Sequence, residues 1–252
     1  MEAKQFCGLA GTGVLAIWSD AAPEHEEEFN NWYTNQHLPE RVGVPGFCRG
    51  RRYVKDAPGE LRYFTLYETE DIGVLESGPY LERLNNPTAW TRRVLPYFTN
   101  GRRLAMVVTS SAGAGIGGLA ATISFGPPEG RAAELRGWTV TSGEQLRGKY
   151  PDLTGWHLCE SDDQVTQAKA GTAEASVSRS ARAPAPAASR HPPTWTLMVE
   201  ATRRDVLEAA GGLLAGRTGL EAQGATAVGE FHIYRLMIAL SSMIGSDGGG
   251  HG

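Results

Sequence analysis

Apolar residues come in short blocks, and the spacing inside each block separates strand from helix. Gly13 to Trp18 reads GVLAIW, an apolar run bounded by glycine and by Ser19-Asp20, which predicts a buried strand. A helix should open at Asp20 to Pro23, since proline suits a first helical turn and Glu24, Glu26, Glu27 and Glu28 favour the positive helix N-terminus. Phe29, Trp32, Tyr33, Gln36 and His37 then share one broad face at helical spacing. Pro39 disfavours helical geometry at Leu38, so this helix is predicted to stop around His37. Phe47 to Lys55 and Leu61 to Glu68 alternate in part, as paired half-buried strands do, across a turn at Asp56 to Gly59. A second helix is predicted from Asp71 to about Leu84, ended by Asn85-Asn86-Pro87. A short helix or loop at Thr88 to Pro96 and a fourth strand within Phe98 to Ser110 complete the half. The order is that of the ferredoxin-like split β-α-β unit.

The pattern then repeats. Phe64 to Glu68 and Val74 to Ser77 resemble Thr196 to Glu200 and Val206 to Ala209 at one constant spacing. Pro23-Glu24 resembles Pro128-Glu129, Trp32 resembles Trp138, and Gly46-Phe47 resembles Gly155-Trp156. A fixed-period echo reads as tandem duplication. The predicted organisation is a flexible arm over 1–12, a first unit over 13–110, a glycine-rich connector over 111–118 and a second unit over 119–244. The second unit has strands at Leu119 to Phe125, Gly155 to Glu160, Trp195 to Ala201 and Gly229 to Leu240, with helices at Glu129 to about Arg147 and Arg203 to Leu214. Residues 168–193 lack Leu, Ile and aromatics, bury little apolar area, and are expected to be a disordered insertion. The tail 245–252 is expected to be disordered as well. Each four-stranded antiparallel sheet has helices on one face and an apolar face left over. Laying those faces together gives an α+β fold: two ferredoxin-like βαββαβ units in a single-chain α/β barrel. Between the duplicated tryptophans and the following strand only the first copy carries a histidine, so chemistry is expected in the first half.

Composition narrows the function classes. At 252 residues the chain suits one large domain or two ordinary ones. A net charge of −4 gives no basic footprint for nucleic acid. Cys7, Cys48 and Cys159 are scattered, which argues against a disulfide scaffold or a paired-cysteine zinc or redox site. No signal-peptide pattern opens the chain, and no apolar stretch approaches the ~18 residues of a spanning helix, so a reduced cytoplasmic protein is the expectation. The glycines at 8, 11 and 13 precede a strand, whereas a dinucleotide fingerprint follows one. No serine elbow or paired metal-binding histidines occur.

His37 is the strongest candidate for chemistry, because imidazole serves as base in one step and acid in the next. The competing reading is a helix-end histidine that caps carbonyls. Tyr33, four residues earlier on the same face, could donate to a carbonyl or enolate oxygen. Trp32 and Phe29 suit the core. Trp18, Tyr53, Tyr63, Tyr67 and Trp90 could line an aromatic pocket for a flat apolar substrate, although strand alternation sends about half of such residues to the other face. Arg41 could grip a carboxylate in two-pronged fashion or form a salt bridge, and Glu40 could orient His37. His157 lies on a predicted strand and suits the core; it and His37 are the candidate axial ligands if a haem binds.

The Trp18 strand end, the Pro23 helix start, Phe29 with Trp32-Tyr33, His37-Leu38-Pro39 and Pro45-Gly46-Phe47 together resemble the dimeric α/β-barrel superfamily, within it the EthD-like branch. The resemblance covers Gly13 to about Ser110, and the second half joins through its likeness to the first. In that superfamily two ferredoxin-like units, usually on two chains, form the barrel; here both would lie on one chain, as monomer or homodimer. Its members resemble cofactor-free isomerases, aromatic cyclases, quinone-forming monooxygenases and several haem enzymes, and the resemblance implies a place in secondary metabolism for this chain. The implied function is a small-molecule enzyme without cofactor or metal, doing acid–base work through His37 on an aromatic or polyketide-like substrate by isomerisation, cyclisation or elimination. The implied alternatives are a cofactor-independent monooxygenase, a haem enzyme, or a binding protein without catalysis.

Overall fold

A computed structural model describes residues 8–56, 60–113, 115–180 and 194–242. The first half contributes strands β1 (Gly13–Ala21), β2 (Phe47–Val54), β3 (Tyr63–Thr69) and β4 (Phe98–Gly113). The second contributes β5 (Leu119–Phe125), β6 (Leu153–Ser161), β7 (Trp195–Ala201) and β8 (His232–Ser241). They close into one antiparallel barrel in the order β1-β3-β2-β8-β5-β7-β6-β4. Each half keeps its own four-stranded sheet, and two seams join the halves. β2 pairs β8 from Arg49 opposite Ser241 to Val54 opposite Arg235, and β4 pairs β6 from Met106 opposite Ser161 to Gly113 opposite Gly155. The sheets therefore meet through hydrogen-bonded edges as well as faces, and closure leaves no edge strand unpaired.

Helices cover the outside: α1 (Glu26–Trp32), α2 (Leu38–Val42), α3 (Gly78–Asn85) and α4 (Ala89–Val94) on the first half, and α5 (Ala132–Lys149), α6 (Asp163–Ala168), α7 (Ala173–Ser180) and α8 (Arg204–Leu214) from the second. Every residue of β3 and of β7 is buried, because these strands have the barrel interior on one side and helices on the other. Val14, Ala16, Trp18, Tyr53, Phe64, Leu66, Met198 and Tyr234 pack together inside the barrel. Leu15, Phe47, Tyr67 and Ala105 pack outward with Leu38, Val42 and Leu84 of the helices.

The strands of the repeat match as the sequence predicts, with one register correction. Thr69 of β3 lies opposite Phe47, and the equivalent Ala201 of β7 lies opposite Leu153. The counterpart of Phe47 is therefore Leu153, not Trp156. Each strand bulges just after that residue, between Phe47 and Arg49 and between Leu153 and Gly155. Corrected this way, Arg51 (opposite Leu66) and His157 (opposite Met198) are equivalent, as are Glu68 and Glu200.

These four side chains meet inside one end of the barrel. Arg51 Nε lies 2.7 Å from Glu68 Oε1, and Arg51 Nη1 donates to Glu200 Oε2 at 2.7 Å. Arg49 grips Glu68 through Nε and Nη2 at 2.9 and 2.6 Å. His157 Nε2 lies 3.4 Å from Glu200 Oε1, while its Nδ1 is 2.8 Å from Ser111 Oγ. Buried charges survive only when paired, and Arg51 serves one carboxylate from each half.

Other sequence expectations change. Residues 8–12 of the supposed flexible arm are anchored: Leu9 is buried in the interior, Ala10 N–H donates to Glu68 at 2.7 Å, and Gly8 carbonyl accepts from Arg49 at 2.7 Å. Residues 1–7 lie outside the described residues, as do 181–193 and the tail 245–252. Residues 168–180 of the supposed disordered insertion belong to α6, a 3-10 turn and α7, with Asp162 capping α6 through Val165 N–H. The helix expected from Asp71 splits into a 3-10 turn, Ile72–Glu76, and α3, because Ser77 caps the latter and Pro79 sits in its first turn. Among the described residues no helix is long and apolar enough to cross a membrane.

Replacing Arg51 by methionine leaves Glu200 without its guanidinium and Glu68 with Arg49 alone. Breaking a buried pair this way costs about 3–5 kcal/mol. Urea unfolding of Arg51→Met should show a markedly lower midpoint at unchanged slope. A wild-type midpoint would show that the cluster adds no net stability.

Candidate active site

The helix carrying His37 does not end there. After α1 the backbone widens into a π turn, Tyr33–His37, in which Leu38 N–H donates to Tyr33 carbonyl, five residues back, and α2 follows directly. Leu38 is helical (φ −62°, ψ −48°) despite preceding Pro39. A regular helix would need the N–H that proline lacks; the wide turn shifts the hydrogen-bond register at the junction. Turns of this kind recur at functional sites.

Two neighbours hold the His37 ring. Trp32 stacks on it, with ring centroids 4.2 Å apart, and is itself pinned by an Nε1–H bond to Thr91 Oγ1 at 3.2 Å. Tyr33 meets it edge-on at 5.0 Å. Glu40 makes no hydrogen bond to His37, so the proposed orienting carboxylate does not act, and the ring's buried Nδ1 has no partner among the described residues.

His37 and Tyr33 form the helix wall of a cavity of about 240 Å³. Ile17 and Arg103, facing residues on β1 and β4, form the sheet wall, with Leu95 and Phe98 at the corner. Lys169, Glu174, Ala175 and Ser178 close the top. A segment of the second half therefore roofs a cavity of the first. The small side chains Ala175 and Ser178 let α7 lie close. Glu174 forms a buried ion pair with Arg41 and also accepts from Lys169 Nζ at 3.2 Å.

Electrostatics fix the protonation states. Burial pushes the His37 pKa well below 6.5, and the positive charges of Arg41, Lys169 and Arg52 push the same way, so the imidazole is neutral at pH 7. Burial raises the Glu174 carboxyl, but Lys169 and Arg41 outweigh it and hold it below its ordinary value, so it is ionised. Tyr33 is pushed up, mainly by burial, and keeps its proton.

The other sequence candidates separate onto different surfaces. Tyr67 is buried behind Tyr33, and neither hydroxyl closes a hydrogen bond of regular geometry. Trp32 backs His37 instead of touching the cavity. Arg41 is committed to Glu174, so the expected anion grip is occupied by the protein's own carboxylate. Tyr63 faces outward but bonds to Glu26 and to Asn30, at 3.0 Å, on a separate surface groove. Trp18 and Tyr53 point into the barrel, stacked on Phe64 at 5.3 and 5.5 Å, because the pleat sends them to the opposite face. Trp90 packs with Phe29 and Trp32 away from the cavity. His157 is sealed in the charge cluster. Sequence reasoning missed Phe98, Arg103, Lys169 and Glu174. The usable signal for the last two was Asp162, a helix-capping residue, followed by an Ala- and Glu-containing run with small residues at helical spacing. Among the described residues no group of three His, Cys, Asp or Glu could hold a metal ion.

No family model and no curated protein matches the chain. Solved structures do. The chain is similar to an anthrone oxidase-like protein, at 11% identity and a TM-score of 0.56, covering 96% of each chain. It is similar to a protein of Fusobacterium nucleatum provisionally assigned as a monooxygenase, at 7% identity and 0.55, covering 92% of this chain and 96% of that one. A Lactobacillus acidophilus protein with the same provisional assignment aligns at 9% identity and 0.51, covering 92% and 97%. What they share with this chain is the fold, a barrel built from two ferredoxin-like units.

Two measurements probe the site. Glu174→Gln leaves Arg41 buried without a carboxylate, a loss of about 3–5 kcal/mol if the roof stays closed. Amides of 163–180 should then exchange far faster in hydrogen-exchange mass spectrometry, while β3 and β7 keep their protection. For His37, the folded pKa lies below the unfolded 6.5. Below pH 6.5 the unfolded chain takes up a proton that the folded chain refuses. Its contribution to stability is thus complete above pH 6.5 and falls by up to about 1.4 kcal/mol per pH unit as pH drops toward the folded pKa. His37→Gln should remove this acid-side loss, so that its urea midpoint gains on wild type between pH 6.5 and 5.

Proposed function

We propose that this chain is a small-molecule enzyme in which His37 acts as general base on a flat aromatic or polyketide-like substrate held in the cavity beneath α7. One observation carries the reading: a neutral, buried imidazole, gripped by Trp32 and Tyr33, lines a half-open and partly apolar cavity. A histidine placed only for packing would not need to border that space. The volume of about 240 Å³ lies just below the roughly 300–1,000 Å³ usual for drug-sized ligands, which suits two or three fused rings. Neutral His37 would take a proton from a carbon beside a carbonyl, and the Tyr33 hydroxyl would donate to the enolate oxygen that forms. Arg41 and Lys169 disfavour the imidazolium, so the proton is readily returned at another atom, completing an isomerisation, cyclisation or elimination.

A second reading keeps the first step and changes the fate of the carbanion. Its support is the fold shared with an anthrone oxidase-like protein and with two provisionally assigned monooxygenases. An activated CH₂ would lose a proton to His37 and pass electrons to O₂. One oxygen atom would remain as the new carbonyl and the other would leave as water. The haem reading gains no support from the two candidate ligands: His157 is sealed on Ser111 and Glu200, and the space beside His37 is small for a porphyrin.

1,8-Dihydroxyanthrone tests both readings. Under nitrogen in D₂O the wild-type protein should accelerate hydrogen–deuterium exchange at the CH₂ carbon, and His37→Gln should lose about 10²–10⁴ of that rate while still binding the compound. In air, oxygen uptake matched to anthraquinone formation would favour the oxygenase, and exchange without uptake the isomerase class. Equal exchange by variant and wild type would remove His37 as the base and leave a binding protein.

A further inference from the structure

Arg103 is a guanidinium on the cavity wall that no carboxylate answers among the described residues. It stands on β4 facing Ile17, and its Nη1 donates to Thr166 carbonyl of α6 at 2.9 Å. Its Nε and Nη2 are buried and have no acceptor among the described residues. These two nitrogens form one edge of the guanidinium, with N–H groups pointing side by side, the geometry that a carboxylate fits with both oxygens.

The same edge shows what this chain does with it elsewhere. Arg49 closes Nε and Nη2 on Glu68, Arg136 closes them on Glu160 at 2.6 and 2.7 Å, and Arg203 closes them on Asp205 at 3.0 and 2.6 Å. On Arg103, as on Arg52, the edge closes no hydrogen bond among the described residues, and of the two only Arg103 lines the cavity. The acidic residue in the cavity lining, Glu174, is already shared between Arg41 and Lys169. Arg102 also borders the cavity, but its guanidinium lies over the Trp18 ring, 5.4 Å from the centroid. Arg103 is therefore left as uncompensated positive charge in the lining, and a guanidinium that a ligand covers without an anion is costly.

From this we infer that the substrate is an arene carboxylate whose acid group docks on the Nε–Nη2 edge of Arg103, opposite His37. This rests on the cavity being the substrate site. The carboxylate would sit on the sheet wall, and the rings would lie against Ile17, Leu95 and Phe98. The reacting carbon would be presented to the helix wall. Arg103 thus takes the anion-holding role for which Arg41 is unavailable. It selects acids over neutral rings of the same shape, because a neutral ligand leaves the guanidinium buried and unanswered.

The probes are 2-naphthoate and 2-naphthol, two rings of one shape, of which only the first is charged at pH 7. Calorimetric titration of the full chain should show naphthoate binding about ten- to a hundredfold tighter than naphthol, the worth of a charge-assisted pair of hydrogen bonds. Arg103→Gln should abolish that preference with naphthol affinity and urea midpoint unchanged. Arg103→Lys, which keeps the charge but loses the fork, should retain only part of it. His37→Gln should leave the preference intact, so failure of the base assignment and failure of this one are read separately. No naphthoate binding up to millimolar concentration, equal binding of the two probes by wild type, or an Arg103→Gln variant that keeps the preference or weakens both probes alike would overturn the inference; the last outcome would make Arg103 a clamp for α6 only.

Discussion

Arg51 lies between Glu68 and Glu200, the same residue of two repeats, and much of the structure follows from that contact. The two carboxylates come from opposite halves of the chain, and they share one guanidinium only if the sheets close into a barrel at both seams. Closure fills the interior with Phe64, Leu66, Met198 and Tyr234 and with the ion cluster at one end. All the helices are then outside, and the space around His37 lies between the outer face of the first sheet and its helices. Burying this much charge is not an efficient route to stability compared with apolar packing. What it gives is register: a strand slip of one residue would send Arg51 or Glu200 to the wrong face and leave charge unpaired.

The two halves have diverged in complementary ways. In the first, the helix after β1 widens at Tyr33–His37 and turns a histidine toward a cavity. In the second, the equivalent helix α5 runs unbroken over Ala132–Lys149 and carries no histidine. The second half instead supplies α6 and α7, which roof the first half's cavity and lock onto it through Glu174 and Arg41. Duplication permitted this division, since one copy could lose a site and gain a roof while both kept their share of the barrel.

Strands and helices of the repeat were legible because short apolar runs mark β1, β3 and β7, because a period of 3.6 residues survives in α8, and because Glu68 and Glu200 recur at a fixed spacing. His37 was legible as the histidine absent from the second copy. Which face each aromatic takes was not. β3 is buried on both sides, so Tyr63, Phe64 and Tyr67 look alike in sequence, although Phe64 enters the barrel and the tyrosines face the helices. The π turn was hidden because Pro39 ordinarily signals an end, and only the three-dimensional register shows how a wider turn absorbs the missing N–H. The roof was hidden for a compositional reason. Residues 168–180 hold few large apolar side chains, but an ion pair and close approach through Ala175 and Ser178 anchor them instead. Arg103 was hidden because an unanswered guanidinium can be recognised only once its surroundings are known.

His37 is a buried, neutral imidazole beneath a roof held by Glu174. Nitrogen NMR of histidine-labelled protein, with the His37 resonances assigned by loss in His37→Gln, tests it directly. The shifts should be those of a neutral imidazole and stay unchanged from pH 8 to well below 6.5. Protonation with a midpoint at or above 6.5 would mean that the ring is solvated or paired with an anion, and would contradict it.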